Sequence, residues 1–220
     1  MDYIFEKCSK IPLVDTISNI DSANIVLNVL AATEEFYQLN LPLMVQQCSF
    51  VSQKTANILF SLGADVDSYE HFAFDNLFFS DASNLFVSDL RTALDSDLSP
   101  DAFQAALNAI YKSVIADDAI PPREQEQLSA ILQIGISSCQ YWSDTANQTK
   151  WSTLFTNTPP TISFRSIWKG DVAGAVGGAA WSLGVAIFGG PAGWAIFGGN
   201  CLGGALCASA IVAVANWIGD

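Results

Sequence analysis

Residues 168–218 read WKGDVAGAVGGAAWSLGVAIFGGPAGWAIFGGNCLGGALCASAIVAVANWI, and how that stretch is understood decides the organisation of the chain. No charged residue occurs from Val172 to Gly219. Thirteen of the 15 glycines fall between Gly170 and Gly219, so a change in backbone character coincides with the loss of charge. Two apolar runs, Val172 to Phe188 and Trp194 to Ile218, are separated by Gly189, Gly190, Pro191, Ala192 and Gly193, a composition suited to a turn between antiparallel helices. As helices the runs would measure about 25 and 37 Å, against a bilayer hydrocarbon core of about 30 Å.

Glycine inside a helix costs up to about 1 kcal/mol relative to alanine, so its abundance here needs a compensating contact. Close backbone approach supplies one. Gly170, Gly174 and Gly178 recur every four residues, as do Gly199 and Gly203, with Cys207 next on that stripe. Ala180 with Gly184, and Gly189 with Gly193, repeat the small-xxx-small spacing that lets helices touch in lipid. The expected site is thus a helix-packing, membrane-inserting surface made of Gly170, Gly174, Gly178, Gly184, Gly189, Gly193, Gly199 and Gly203. Trp168, Trp194 and Trp217 lie near the ends of the runs, where interfacial aromatics belong. The first run holds few strongly apolar side chains, and it is expected to enter a membrane with its partner helix or as a homo-oligomer rather than alone.

Outside this stretch the composition is that of a water-facing protein. Residues 1–169 contain all nine Lys and Arg residues, the one His and 20 of the 22 acids. The pattern predicts an all-α chain: a helical bundle over 1–156, a linker over 157–169 containing Pro159 and Pro160, and an apolar hairpin over 170–220. Residues 1–160 are expected to fold by themselves. Asp21 is a candidate cap for a helix running to about Leu39, and Pro42 a candidate start for one carrying Met44, Cys48, Val51, Thr55, Ile58, Leu59 and Leu62 on one face up to Gly63. Ser99, Pro100 and Asp101 signal a helix start ahead of Phe103, Leu107, Ile110, Tyr111 and Val114. Pro121 and Pro122 open a helix whose apolar face is Leu128, Ile131, Leu132, Gly135, Cys139 and Trp142, with Arg123, Glu124 and Glu126 facing solvent. Tyr69 to Leu94, dense in phenylalanine, predicts short helices wedged into the core.

Charge and spacing argue against several functions. A net charge of -13 repels phosphate backbones and anionic headgroups, so no nucleic-acid partner is expected. Met1 to Pro12 carries Lys7 and Lys10 without the apolar core of a cleavable secretory signal, which leaves membrane association or signal-peptide-independent export. Five cysteines without metal-like spacing suggest neither a disulfide framework nor a zinc site, and Cys48 and Cys139 fit a reduced core. His71 sits alone among aromatics. Asp65, Asp67 and Glu70 lack the glycine and later acid of a calcium loop and read as a solvated turn, while Asp95, Asp97 and Asp101 read as caps and Asp117 and Asp118 as turn residues. No phosphate-binding glycine loop, catalytic group, metal or cofactor is indicated, and the chain is not expected to be an enzyme.

The glycine spacing of the C-terminal quarter, Gly170 to Gly178 and Gly199 to Gly203, resembles that of glycine-zipper class II bacteriocins. The arrangement of a C-terminal apolar hairpin behind amphipathic helices, with its turn at Gly189 to Gly193, is similar to colicin-type pore-forming domains. These resemblances imply a membrane-active toxin or effector that acts on a lipid bilayer, associates through its hairpin and is accompanied by an immunity or delivery protein. An alternative consistent with the same residues is a non-toxic helical protein-interaction module anchored by the hairpin.

Overall fold

The computed structural model of the chain describes residues 19–40, 45–63, 65–152, 164–188 and 190–218, together with Glu6 and Pro42. Among the described residues every regular element is an α-helix, as the sequence pattern predicts. The helices are α1 (Asn19–Asn40), α2 (Val45–Ser61), α3 (Val66–Asp75), α4 (Asp81–Asp95), α5 (Pro100–Ala116), α6 (Pro122–Ser143), α7 (Thr145–Ser152), α8 (Phe164–Phe188) and α9 (Gly190–Ile218).

Their boundaries follow local chemistry. Gly63 adopts a left-handed φ of 70° just after α2, a conformation that glycine reaches without a Cβ penalty. Asp65 caps α3 by accepting the Ser68 N–H at 2.9 Å. Ser99 accepts the Ala102 N–H at 3.3 Å while Pro100 occupies the first turn of α5. The Asp117 carboxylate accepts the Ala119 N–H at 2.9 Å, which fixes the turn into α6.

Several boundaries differ from expectation. Asp21 lies inside α1 rather than capping it, and α2 opens at Val45 instead of at Pro42. Glu124 does not simply face solvent: it accepts hydrogen bonds from the Ser80 N–H at 3.0 Å and the Ser80 hydroxyl at 2.6 Å, capping α4 from another helix. The aromatic stretch forms α3 and α4, with Tyr69 and Phe74 buried, whereas Phe78 stands 76% exposed in the link between them.

The largest difference concerns the division into bundle and hairpin. Helix α8 begins at Phe164, inside the stretch expected as a linker, so Arg165, Lys169 and Asp171 belong to the first hairpin helix. Pro159 and Pro160 lie outside the described residues. Gly190, Pro191, Ala192 and Gly193 do not form a turn but open α9, where proline near the helix start forfeits no internal hydrogen bond. Gly189, the remaining residue of the expected turn, lies outside the described residues. Helices α8 and α9 pack along each other, and α1, α2, α3 and α6 pack against them. Leu59, Tyr69, Leu107, Ile131 and Leu132 of the surrounding helices share one continuous core with Val172, Val176, Phe197 and Ile211 of the hairpin.

That common core argues against a front part that folds by itself. Residues 1–160 alone would expose the faces of α3 and α6 that cover the hairpin, since burial of such faces is the main favourable term in folding. The fragment is predicted to keep helical circular dichroism but lose the cooperative urea transition of the full chain. Coincident transitions for fragment and full chain would mean that the bundle has a core of its own.

Candidate functional site

The seam between α8 and α9 is built from backbone. A Cβ placed on Gly174 would come within 2.6 Å of the Gly204 carbonyl carbon and 2.8 Å of the Ala205 Cα. One on Gly178 would come within 2.7 Å of the Asn200 carbonyl carbon and 2.9 Å of the Cys201 Cα. A Cβ on Gly170 would stand 3.5 Å from the Ser209 Cα and 3.3 Å from a Val212 methyl, so the helices begin to separate there. Gly170, Gly174 and Gly178, three of the four glycines expected on α8, therefore line one seam. Their partner stripe on α9 is Asn200, Gly204 and Ala208 rather than Gly199 and Gly203.

Gly203 serves the outer face of the hairpin. The Tyr37 hydroxyl of α1 rests against its Cα, and a Cβ there would also lie 3.2 Å from the Ser52 hydroxyl of α2. Ser52 donates to the Gly203 carbonyl oxygen at 3.3 Å, and the Cys207 thiol donates to the Ser52 carbonyl oxygen at 3.1 Å. Gly177, not singled out by spacing, does the same on α8, where the Tyr69 hydroxyl of α3 packs against it and donates to Thr55 at 3.4 Å. Gly199 is buried. Gly184 and Gly193 are in the helices, but their surroundings, like those of Trp194 and Trp217, are outside what is described. Trp168 is buried at 5% exposure and stacks on Phe103 with ring centroids 5.4 Å apart, so it is a core contact of this fold and not an outward-facing aromatic.

The start of α8 carries the charges that tie the hairpin to its surroundings. The Lys169 ammonium lies 2.7 Å from Asp67, 2.7 Å from Glu70 and 3.6 Å from Asp95, while Arg165 pairs with Asp97 and donates to the Ser96 carbonyl oxygen. Burial by itself would depress the lysine, but the hydrogen bonds to Asp67 and Glu70 outweigh it and hold the ammonium above its ordinary pKa. Glu70 is fully buried, and burial keeps its carboxyl above the usual range despite Lys169. The acids read from sequence as a solvated turn and as caps thus have a further role: Asp67, Glu70, Asp95 and Asp97 face the cations of α8. His71 is exposed, with its ring nitrogen 2.8 Å from the Asp67 carbonyl oxygen.

Two residues beyond Lys169, Asp171 is buried at 3% exposure. One carboxylate oxygen accepts the Trp142 indole N–H at 2.9 Å and the Ser138 hydroxyl. Burial pushes its pKa up to about 6, against a smaller downward pull from Ser138, Ser209 and Trp142. The glycine spacing does not bring Asp171 into the site, although a lone acid at the edge of 48 uncharged residues is a usable signal. Among the described residues no group of His, Cys, Asp and Glu is arranged to hold a metal, and Cys48, Cys139, Cys201 and Cys207 are free and buried. Also among the described residues, no helix is long and apolar enough to cross a membrane. No protein family, curated protein or solved structure matches the chain.

Two predictions follow from this geometry. Because even a methyl group collides with backbone at the seam, Gly174→Ala, Gly178→Ala and Gly204→Ala should each lower stability by about 1–3 kcal/mol or more in urea unfolding. Gly198→Ala, where a Cβ meets nothing within 4 Å, should be neutral or stabilise by up to about 1 kcal/mol. Equal effects at all four positions would show that the seam is not the constraint.

The second concerns pH. Asp171 binds a proton more tightly folded, with a pKa of about 6, than unfolded near 3.8, so its contribution to stability rises as pH falls through that window. The gain is at most roughly 3 kcal/mol, and Glu70, also raised, acts in the same direction. Asp65 and Glu124, whose pKa values are lowered by hydrogen bonds, contribute stability that is lost only at lower pH, below the ordinary carboxylate range. Denaturation midpoints are expected to rise from pH 7 to pH 5 and to flatten in Asp171→Asn; an unchanged slope in the variant would remove Asp171 as the cause.

Proposed function

We propose that the chain is a membrane-active protein in a sheathed state, in which surrounding helices shelter an apolar hairpin that acts on a lipid bilayer once exposed. The observation that carries this reading is burial of α8 on every face from Gly170 to Ala179. A helix apolar all round requires protein or lipid on all sides. Here α2, α3, α6 and α9 provide that environment, and α2, α3 and α6 carry polar residues on their outer faces.

The hairpin is also equipped to move as one body. Its seam at Gly174, Gly178 and Gly204 needs no residue of the sheath, and small-residue contacts of this kind hold helices together in lipid. Paired insertion suits helices too weakly apolar to enter singly. Lys169 and Asp171 precede the uncharged run, so they can remain at the surface while Val172 and later residues enter. The charge of -13 favours a bilayer of low negative charge and a dedicated delivery partner. Acid is not a simple trigger. Protonating Asp171 strengthens the sheathed form, because the proton is favoured by burial.

A second reading, a hairpin that never leaves its sheath, is favoured by the fit of Tyr69 on Gly177 and Tyr37 on Gly203. Dye release separates the two. Full-length protein added to phosphatidylcholine vesicles at pH 7 and pH 5 is predicted to release trapped dye and to float with the vesicles. Protein that stays folded in the aqueous fraction, without release from neutral or anionic vesicles at either pH, would assign the hairpin to a permanent core.

A further inference from the structure

A cavity of about 360 Å³ opens between α6 and the hairpin, walled by Ile134, Tyr141 and Trp142 of α6 and by Leu202 and Leu206 of α9. Leu202 singles it out. Among the hairpin residues from Gly170 to Ala179 and from Phe197 to Val212, it is the one large apolar side chain left partly exposed. Ile134 and Tyr141 on the facing helix are partly exposed as well, so both sides of the hollow present apolar surface. The volume falls in the range of small-molecule pockets, about 300–1,000 Å³. We propose that this cavity binds a small uncharged amphiphile, its hydrocarbon body held among Tyr141, Trp142 and Leu202 and its one hydroxyl at the rim.

The chemistry of the walls selects against charge. Asp171 borders the cavity, but Ser138, Ser209 and Trp142 engage its carboxylate, and its second oxygen has no exposed surface. No Lys or Arg among the described residues lines the cavity. A ligand cation therefore finds no carboxylate within reach and a ligand anion no cation, so either would give up hydration without a partner in return. The Tyr141 hydroxyl accepts the Trp151 indole N–H at 2.9 Å, so that polar atom is engaged too. At the mouth stand Gln133 and Ser137, both exposed and one turn apart on α6. A single hydroxyl can bond to them while the body it carries stays among apolar side chains. An apolar cavity of roughly 150 Å³ accepts benzene, so this one has room for a body about twice as large. The site is independent of the membrane reading, since it is complete in the sheathed form.

The test titrates the full-length chain with n-octanol, n-hexanol, n-octanoate and n-octylammonium chloride at neutral pH, followed by calorimetry and tryptophan fluorescence. Binding of n-octanol should saturate at one per chain and be about tenfold tighter than that of n-hexanol, since two further methylenes are buried. Both ions should bind about tenfold or more weakly than n-octanol. Ile134→Trp, which fills the cavity from a half-exposed position on its wall, should abolish calorimetric binding of n-octanol and retain helical circular dichroism. Ser137→Trp, placed at the exposed mouth and away from the core, should weaken both alcohols together, and it decides the matter should Ile134→Trp not fold. The proposal is overturned if n-octanol does not saturate at one per chain, if either ion binds as tightly as n-octanol, or if Ser137→Trp or a folded Ile134→Trp binds n-octanol as the parent does.

Discussion

Two stretches of bare backbone meet where Gly174 of α8 passes Gly204 of α9, and the placement of the other hairpin residues depends on that contact. A single Cβ at either position would lie closer to the opposing chain than side chains are ever found, so the interaxial distance is set by the absence of side chains. With the seam fixed, Val172, Val176, Phe197 and Ile211 are carried into the common core. The tyrosines complete the arrangement, because Tyr69 and Tyr37 reach in far enough to touch Gly177 and Gly203 on the outer faces of the same pair of helices. Glycine is thus used on both sides of each helix, inward for its partner and outward for the sheath.

The second constraint is electrostatic and is concentrated in the first turns of α8. Arg165, Lys169 and Asp171 reach α3, α4, α6 and the loop after α4 through Asp67, Glu70, Asp95, Asp97, Ser138 and Trp142. Buried ion pairs contribute little net stability, because desolvation offsets most of the attraction, but breaking one strands a charge. Their effect is to specify position. A helix with small residues on every face could slide or rotate at little cost in apolar contact, whereas one with Lys169 beside buried Glu70 cannot.

These two features differ in what they hold together. The seam belongs to the hairpin alone and would survive transfer to lipid, where close backbone approach remains favourable. The charged collar and the tyrosine contacts tie the hairpin to the helices around it. Asp171 stands between them: it marks the edge of the uncharged run, ties α8 to α6, and forms part of the wall of the cavity at that junction. Separating the hairpin from α6 would require those hydrogen bonds to be given up.

The sequence by itself was enough for the helical class and for much of the helix placement, because caps and periodicity are local. Ser99 with Pro100, the face from Leu128 to Trp142, and the small-residue spacing of Gly170, Gly174 and Gly178 all act within a few residues along the chain. It did not identify the partner stripe. Asn200, Gly204 and Ala208 have the required spacing of four, but a polar Asn disguises it, and Gly199 and Gly203 offered a more obvious alternative one residue away. A shift of one residue turns a helix by about 100°, so choosing between those stripes requires knowing which side of α9 faces α8. The same holds for the acids near α3 and α4. Their caps and turns are local, but pairing with Arg165 and Lys169 joins residues as many as 102 positions apart. Tertiary structure alone decided that the apolar hairpin and the charged bundle share one core, because burial depends on what surrounds a helix and not on its own sequence.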